Sequence, residues 1–368
     1  MMNQKIRAIG AGVLAVLWIV LTGFAWFSPA KDISEAERRP LAQFPELNTD
    51  TLLAGKFMTA FEDYTLDQFP LRDNFRQLKS LFHFYALNQK DSNDIYIADG
   101  YAAQLDYPLN TESLNYATGR LNWVYENYLK DSGSKVYFVT VPDKGYYLAE
   151  DNGYLAPDYD AMFALLQKNM PWATHIDITE KLSISDYYFT DTHWRQEKLL
   201  DVAQTILQAM DMPAPQPGEF TQTAIDRPFY GVYYGQAALP MQPETLYTME
   251  SQRLASCRVF DFETQSYTQV YNQEMLASKD LYDIYLSGSK SLLRIENPNA
   301  ATDKELIVFR DSFGSSIVPL LVSEYKTVTL VDIRYINSQM LSRYIEFNGQ
   351  DILMLYSTLV LNNGTTLK

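Results

Sequence analysis

The distribution of apolar residues divides the chain into regions of different character. Ile9 to Phe27 is an uncharged run, IGAGVLAVLWIVLTGFAWF, which as a helix would span roughly 28 Å, close to the hydrocarbon thickness of a bilayer. Lys5 and Arg7 precede it, as they would in a signal peptide or a signal anchor, and Ser28-Pro29-Ala30 loosely resembles a cleavage site. The length of the run, with Trp18, Trp26 and Phe27 suited to a membrane interface, favours an uncleaved anchor over residues 1–30; a cleaved signal is the alternative. Lys31, Arg38 and Arg39 nearly balance the basic residues on the other side. The expected location is the cell membrane, single-pass, with the body outside the cytoplasm.

Residues 31–50 are polar and irregular and read as a tether ending at Phe44-Pro45. A helix is predicted from Phe57 to Asp67, broken by Pro70. A second follows over 72–87, with Phe75, Leu78, Phe82 and Tyr85 on one face. Ile95 and Ile97 alternate with polar residues up to Asp99-Gly100, a hairpin signal. From Ser113 the pattern alternates between helix and strand. Helices are expected at 113–130, 159–170 and 194–210, and strands at 135–141 and 175–178. The stretch 213–300 breaks the rhythm with prolines, tyrosines and short alternating runs, and reads as β-rich. Strands then resume at 305–309, 327–331 and 352–356. Such alternation predicts an α/β fold with a mainly parallel sheet covered on both faces, filling a domain over 51–368.

Charge narrows the partners. Lys and Arg number 30 against 45 Asp and Glu, a formal charge of −15, and the anchor contributes only basic residues. A body this acidic repels phosphate backbones, so no nucleic-acid partner is expected. The single cysteine, Cys257, permits no internal disulfide. The sequence contains no metal-ligand pattern, phosphate loop or dinucleotide fingerprint, and no cofactor or metal is expected.

Only three histidines are available to a neutral-pH base: His83, His175 and His193. The first two sit in a helical and a strand pattern and read as structural. His193 lies in Thr190-Asp191-Thr192-His193-Trp194, where Asp191 can reach Nδ1–H and leave Nε2 free to take a proton. The same residues also fit an aspartate capping a helix beside a surface histidine. The strand 305–309 runs directly into Arg310-Asp311-Ser312-Phe313-Gly314, a strand-to-helix turn that can project a serine hydroxyl from the carboxyl edge of the sheet. Backbone N–H groups there can bind an oxyanion. Ser312 as a mere helix cap is the alternative. Arg334 and Tyr335 follow a strand end and can contact substrate, although Arg334 also suits pairing with a carboxylate. Tyr233, in Tyr230-Gly-Val-Tyr-Tyr-Gly235, can stack on a sugar ring or pack in the core.

Together, the DTHW and DSFG motifs resemble those of the DHHW family of SGNH-hydrolase-like proteins, relatives of the alginate O-acetylation proteins. Glu37-Arg38-Arg39, Gln68-Phe69-Pro70-Leu71-Arg72-Asp73, Val141-Pro142-Asp143-Lys144, Asp332-Ile-Arg334-Tyr335 and Tyr356-Ser-Thr-Leu-Val-Leu-Asn362 extend the resemblance over nearly the whole body. It implies an SGNH-like three-layer fold. It also implies Ser312 as nucleophile, His193 as base and Asp191 as its orienter. Where relatives often carry Gly-Gly-Asn, this chain reads Ser287-Gly288-Ser289, so Gly288 and Ser289 become the oxyanion candidates. The implied activity is O-acetyl transfer to, or ester removal from, an exported or cell-envelope polysaccharide. A membrane-bound O-acyltransferase is the implied acetyl supplier. A catalytically inert carbohydrate-binding or scaffold subunit of a polymer modification machine is the alternative.

Overall fold

The computed structural model describes residues 2–34, 36–215 and 218–368, which fall into two compact units. The first comprises Met1–Ser92 with Tyr234–Pro240. Its helix Met2–Phe27 is, among the described residues, the one long and apolar enough to cross a membrane. Helices Thr49–Leu53, Lys56–Asp67 and Arg72–Leu81 follow. Residues 31–50, expected as an irregular tether, are fastened to these helices by charge. Arg39 grips both oxygens of Asp67 at 2.6 and 2.8 Å, and Glu37 faces Arg72 at 2.5 Å and Arg76 at 3.2 Å. The carboxyl of Asp67 is held down to about 2, chiefly by the Arg39 hydrogen bond.

The second unit, Asn93–Tyr233 with Met241–Lys368, is built on an eight-stranded sheet. Its strands are β1 (Val136–Val141), β2 (Thr174–Ile176), β3 (Arg258–Asp261), β4 (Ser266–Thr268), β5 (Leu292–Glu296), β6 (Glu305–Arg310), β7 (Thr327–Val331) and β8 (Asp351–Ser357). Their spatial order is β4-β3-β5-β7-β6-β8-β1-β2. The run β7-β6-β8-β1-β2 is parallel, while β5, β3 and β4 extend it antiparallel. Successive residues of β6 enter opposite cores. Leu306 and Val308 pack into one hydrophobic cluster, and Ile307 and Phe309 into the other. A strand buried on both faces is apolar along its interior, which is why Leu306 to Phe309 stands out as a continuous apolar run.

The β-rich stretch 213–300 is divided between two structures. Thr221–Phe229 pairs antiparallel with Glu244–Glu250, whereas β3, β4 and β5 join the main sheet. The hairpin at Asp99-Gly100 forms as expected, between Ile95–Ala98 and Tyr101–Gln104. One expected element differs. The helix read from 194 begins at Leu200, after an extended segment and a short turn at Gln196–Lys198.

Parallel pairing brings the carboxyl ends of four strands to one edge. Phe309 lies opposite Val331, Arg310 opposite Leu355, and Ser357 opposite Val141. Asp143-Lys144, Asp311-Ser312, Asp332 and Ser357-Thr358 therefore gather along that edge.

Candidate active site

Asp191, His193 and Ser312 form one hydrogen-bonded line. His193 Nδ1 lies 2.6 Å from Asp191 Oδ1, and Nε2 lies 2.8 Å from Ser312 Oγ. Asp191 is wholly buried and His193 nearly so, while Ser312 keeps partial access to solvent. The second Asp191 oxygen accepts from the amide of Val232 at 2.8 Å, and Oδ1 also accepts from the His193 amide at 3.0 Å. A carboxylate fed by N–H donors in this way holds the imidazole with its proton on Nδ1, leaving Nε2 as acceptor.

The line exists because Trp194 is drawn into the core. Its indole donates to Ser316 Oγ at 2.9 Å and to the Phe313 carbonyl at 3.2 Å, locking the histidine loop onto the helix that follows Ser312. Burial of this indole holds Trp194 in an isolated β-bridge to Tyr187 and delays the helix to Leu200. Asp191 thus bonds to the ring and the amide of His193 and caps no helix. Gln196 adds a second tie, donating to Ser316 O at 2.8 Å. The imidazole stacks on Tyr282, with ring centroids 3.9 Å apart and planes 9° from parallel, and Tyr282 in turn donates to Ser316 Oγ at 2.8 Å.

Ser312 does not cap the helix Gly314–Leu321. The helix carries no side-chain cap; Asp311 braces the turn that leads into it, its carboxylate accepting from Phe313 N at 2.9 Å and from Ser357 N at 2.7 Å. The amides of Gly314 and Ser315 bond to the carbonyls of Asp311 and Ser312. Three amides after Ser312 are thereby occupied within the turn. The amide of Ser312 itself has no acceptor among the described residues, which makes it the available backbone donor for an oxyanion.

The other expected site residues separate. Gly288 is buried and its carbonyl accepts from Arg310 at 3.3 Å; Ser289 is exposed. Arg334 is held by both oxygens of Asp332, at 2.9 and 2.6 Å, and lies over Tyr335, which is 52% exposed. Of the two, Tyr335 retains a free surface. Tyr233 is buried, donates to Thr192 Oγ1 at 3.0 Å and lies under the Lys144 ammonium, so it supports the histidine loop and offers no open ring face.

Two residues were not singled out by local pattern. Gly231 lies against Asp191 so closely that a Cβ there would come within 2.3 Å of Asp191 Cα and Cβ. Its amide donates to Thr190 Oγ1 at 2.9 Å. Gly231→Ala is expected to push the two backbones apart, costing roughly 1–3 kcal/mol or more in a urea melt. A midpoint matching the parent's would show that the loops part without strain.

Lys144 is the other. It is buried, and its ammonium donates to the carbonyls of Tyr188 at 3.0 Å and Phe189 at 3.4 Å, fastening the segment that leads into Asp191. Burial pushes its amine down to about 7, against the pull of Asp191, Glu244 and Asp143. The unfolded lysine then holds a proton that the folded one lacks between about pH 7 and the ordinary lysine range. Stability therefore rises with pH across that window and is flat, in this respect, below it. Relative to Lys144→Met, the parent is expected to gain several kcal/mol between pH 7 and 10 in urea titrations. Parallel pH profiles for the two proteins would refute this.

The fold is α/β of SGNH-hydrolase-like type, with the Asp-His-Ser line at the carboxyl edge of the sheet. Residues 174–331 match the family model described as DHHW protein, a segment holding both DTHW and DSFG, so the DHHW resemblance is shown. The structure is similar to that of a DHHW family protein from Eubacterium siraeum, with TM-score 0.59, 20% identity and coverage of 74% of this chain and 93% of that one. It is also similar to Bacillus cereus PatB1, solved with a sulfonyl adduct, with TM-score 0.56, 19% identity and coverage of 73% and 95%. No curated protein sequence matches the chain.

Proposed function

We propose that this protein carries an acyl group, most simply acetyl, on Ser312 and passes it to a hydroxyl of an exported or cell-envelope polysaccharide. The observation that carries the reading is the continuous line from Ser312 Oγ through His193 to the buried Asp191 carboxylate. His193 Nε2 takes the hydroxyl proton as Oγ attacks the acyl carbonyl, and the resulting oxyanion faces the unused Ser312 amide. Collapse of the tetrahedral species expels the donor's leaving group, which collects the proton from the imidazolium, and leaves acyl-Ser312. The acceptor hydroxyl then gives its proton to Nε2 and attacks the acyl carbon. The new ester departs as Ser312 Oγ recovers that proton. Water in place of the sugar hydroxyl makes the same machinery an esterase.

The helix Met2–Phe27 fits attachment to the membrane from which such a polymer emerges, beside a membrane-bound O-acyltransferase that supplies acetyl groups. The DHHW resemblance supports both the polymer and this supplier.

The test uses the full chain in detergent with an activated acetyl ester and, separately, with an aryl sulfonyl fluoride, a reagent suggested by the adduct of PatB1. Peptide mass mapping should place acetyl or sulfonyl on the Ser312 peptide, and added oligosaccharides should accelerate loss of the acetyl group and gain it themselves. Folded protein that takes up neither reagent overturns the proposal. Turnover that oligosaccharides leave unaffected, with acetate as product, assigns an esterase instead.

A further inference from the structure

Arg310, the last residue of β6, is fully buried yet forms no ion pair among the described residues. Asp332, across the strand boundary, acts on it only at longer range and is already gripped by Arg334. The Arg310 guanidinium is spent on neutral acceptors. Nη1 donates to the Asp311 carbonyl at 3.3 Å and Ser315 Oγ at 2.9 Å, on either side of Ser312, and Nη2 donates to the Gly288 carbonyl at 3.3 Å. Nε has no acceptor among the described residues. Taking a guanidinium out of water without a counter-charge is costly, and an isosteric apolar side chain would serve packing better.

What the guanidinium holds is unusual. Leu286, Ser287 and Gly288 are all left-handed, with φ of +54°, +60° and +74°. Non-glycine residues persist there only where their surroundings hold them. At position 288 a Cβ would also come within 2.2 Å of Asp283 Oδ1. The next residue, Ser289, is exposed, and neither its amide nor its hydroxyl has a partner among the described residues.

We infer that Arg310 is a positioning residue for the acyl transfer proposed above, tying the left-handed turn 286–288 to the nucleophile turn so that the unused donors of Ser289 stay in fixed relation to Ser312. One side chain reaches the residue before Ser289 and the residue before Ser312, so neither turn moves without the other. This rests on the acyl-transfer reading and adds to it the element that holds the turn bearing Ser312, with its oxyanion-facing amide, against the turn 286–288.

The test compares full-length parent, Arg310→Lys and Arg310→Met in detergent. Steady-state turnover of an acetyl ester is combined with amide hydrogen exchange of a peptide covering 286–290. Arg310→Met is expected to lower kcat about 100-fold, the scale of a lost oxyanion donor, with KM within about threefold of the parent. Exchange at 286–290 should rise about tenfold while peptides from β6 and β8 stay protected, because opening of the turn is local. Arg310→Lys keeps the charge and part of the donor set and should fall between. It also serves where the methionine variant fails to fold. A kcat within threefold of the parent overturns the inference, and so does a lower kcat with unchanged exchange at 286–290. Should the parent react with neither acyl nor sulfonyl reagent, the acyl-transfer reading fails, and the exchange measurement alone decides whether Arg310 holds the turn.

Discussion

Ser312→Ala is expected to abolish sulfonyl and acetyl labelling and to lower ester turnover by about 10⁴- to 10⁶-fold, leaving the fold intact. The magnitude follows from what the substitution removes: the nucleophilic oxygen itself, without which the His193–Asp191 pair has nothing to activate. Little stability should be lost. Ser312 is partly exposed, its hydroxyl has one partner in His193, and the turn is held independently by Asp311 through Phe313 N and Ser357 N. A melting curve should therefore stay within about 1 kcal/mol of the parent, the worth of one hydrogen bond. The measurement pairs mass mapping with thermal unfolding. Continued labelling at another residue would place the nucleophile elsewhere.

Asp191→Asn should cost about 10⁴-fold in kcat with little change in KM. Three N–H donors face the Asp191 carboxylate: His193 Nδ1 at 2.6 Å, His193 N at 3.0 Å and Val232 N at 2.8 Å. An asparagine amide must turn its NH₂ toward one side. Turned toward Val232, it sets donor against donor in a buried place. Turned toward the imidazole, it forces the proton onto Nε2, where the ring can no longer accept from Ser312. Because one of these conflicts is unavoidable, a stability loss of about 1–3 kcal/mol should accompany the kinetic one. Initial rates across substrate concentrations, with urea melts alongside, separate the two effects. Turnover within tenfold of the parent would mean that Asp191 does not set the tautomer.

Much of this protein is legible locally. β6 falls at 305–310 and β8 at 351–357, close to where the apolar runs lie, because a strand interior buried on both faces leaves little room for polar interruptions. The helix 159–169 carries its own capping aspartate, Asp158, whose side chain accepts from Ala161 N at 2.9 Å. Elsewhere local pattern misleads. The helical periodicity from 194 onward is real, but its first turn is lost to Trp194, whose indole finds better partners 119 and 122 residues away. The stretch 213–300 shows its strand character plainly, yet nothing in its alternation tells that β3, β4 and β5 join the main sheet while Thr221–Phe229 and Glu244–Glu250 pair apart from it.

The site divides along the same line. Asp191 and His193 are two residues apart, and Ser312 follows its strand directly, so short-range chain geometry sufficed to mark them. Whether they meet depended on strand order and register, which bring residues 119 apart to 2.8 Å. The occupied amides after Ser312, the Val232 amide on Asp191, the Lys144 tie and the reach of Arg310 to Gly288 likewise exist only in the folded chain. Periodicity records where apolar surface must be buried, because that demand repeats along the chain. The partner of a buried polar group is chosen once, by whatever the packed core brings within hydrogen-bond distance, and leaves no repeating mark in the sequence.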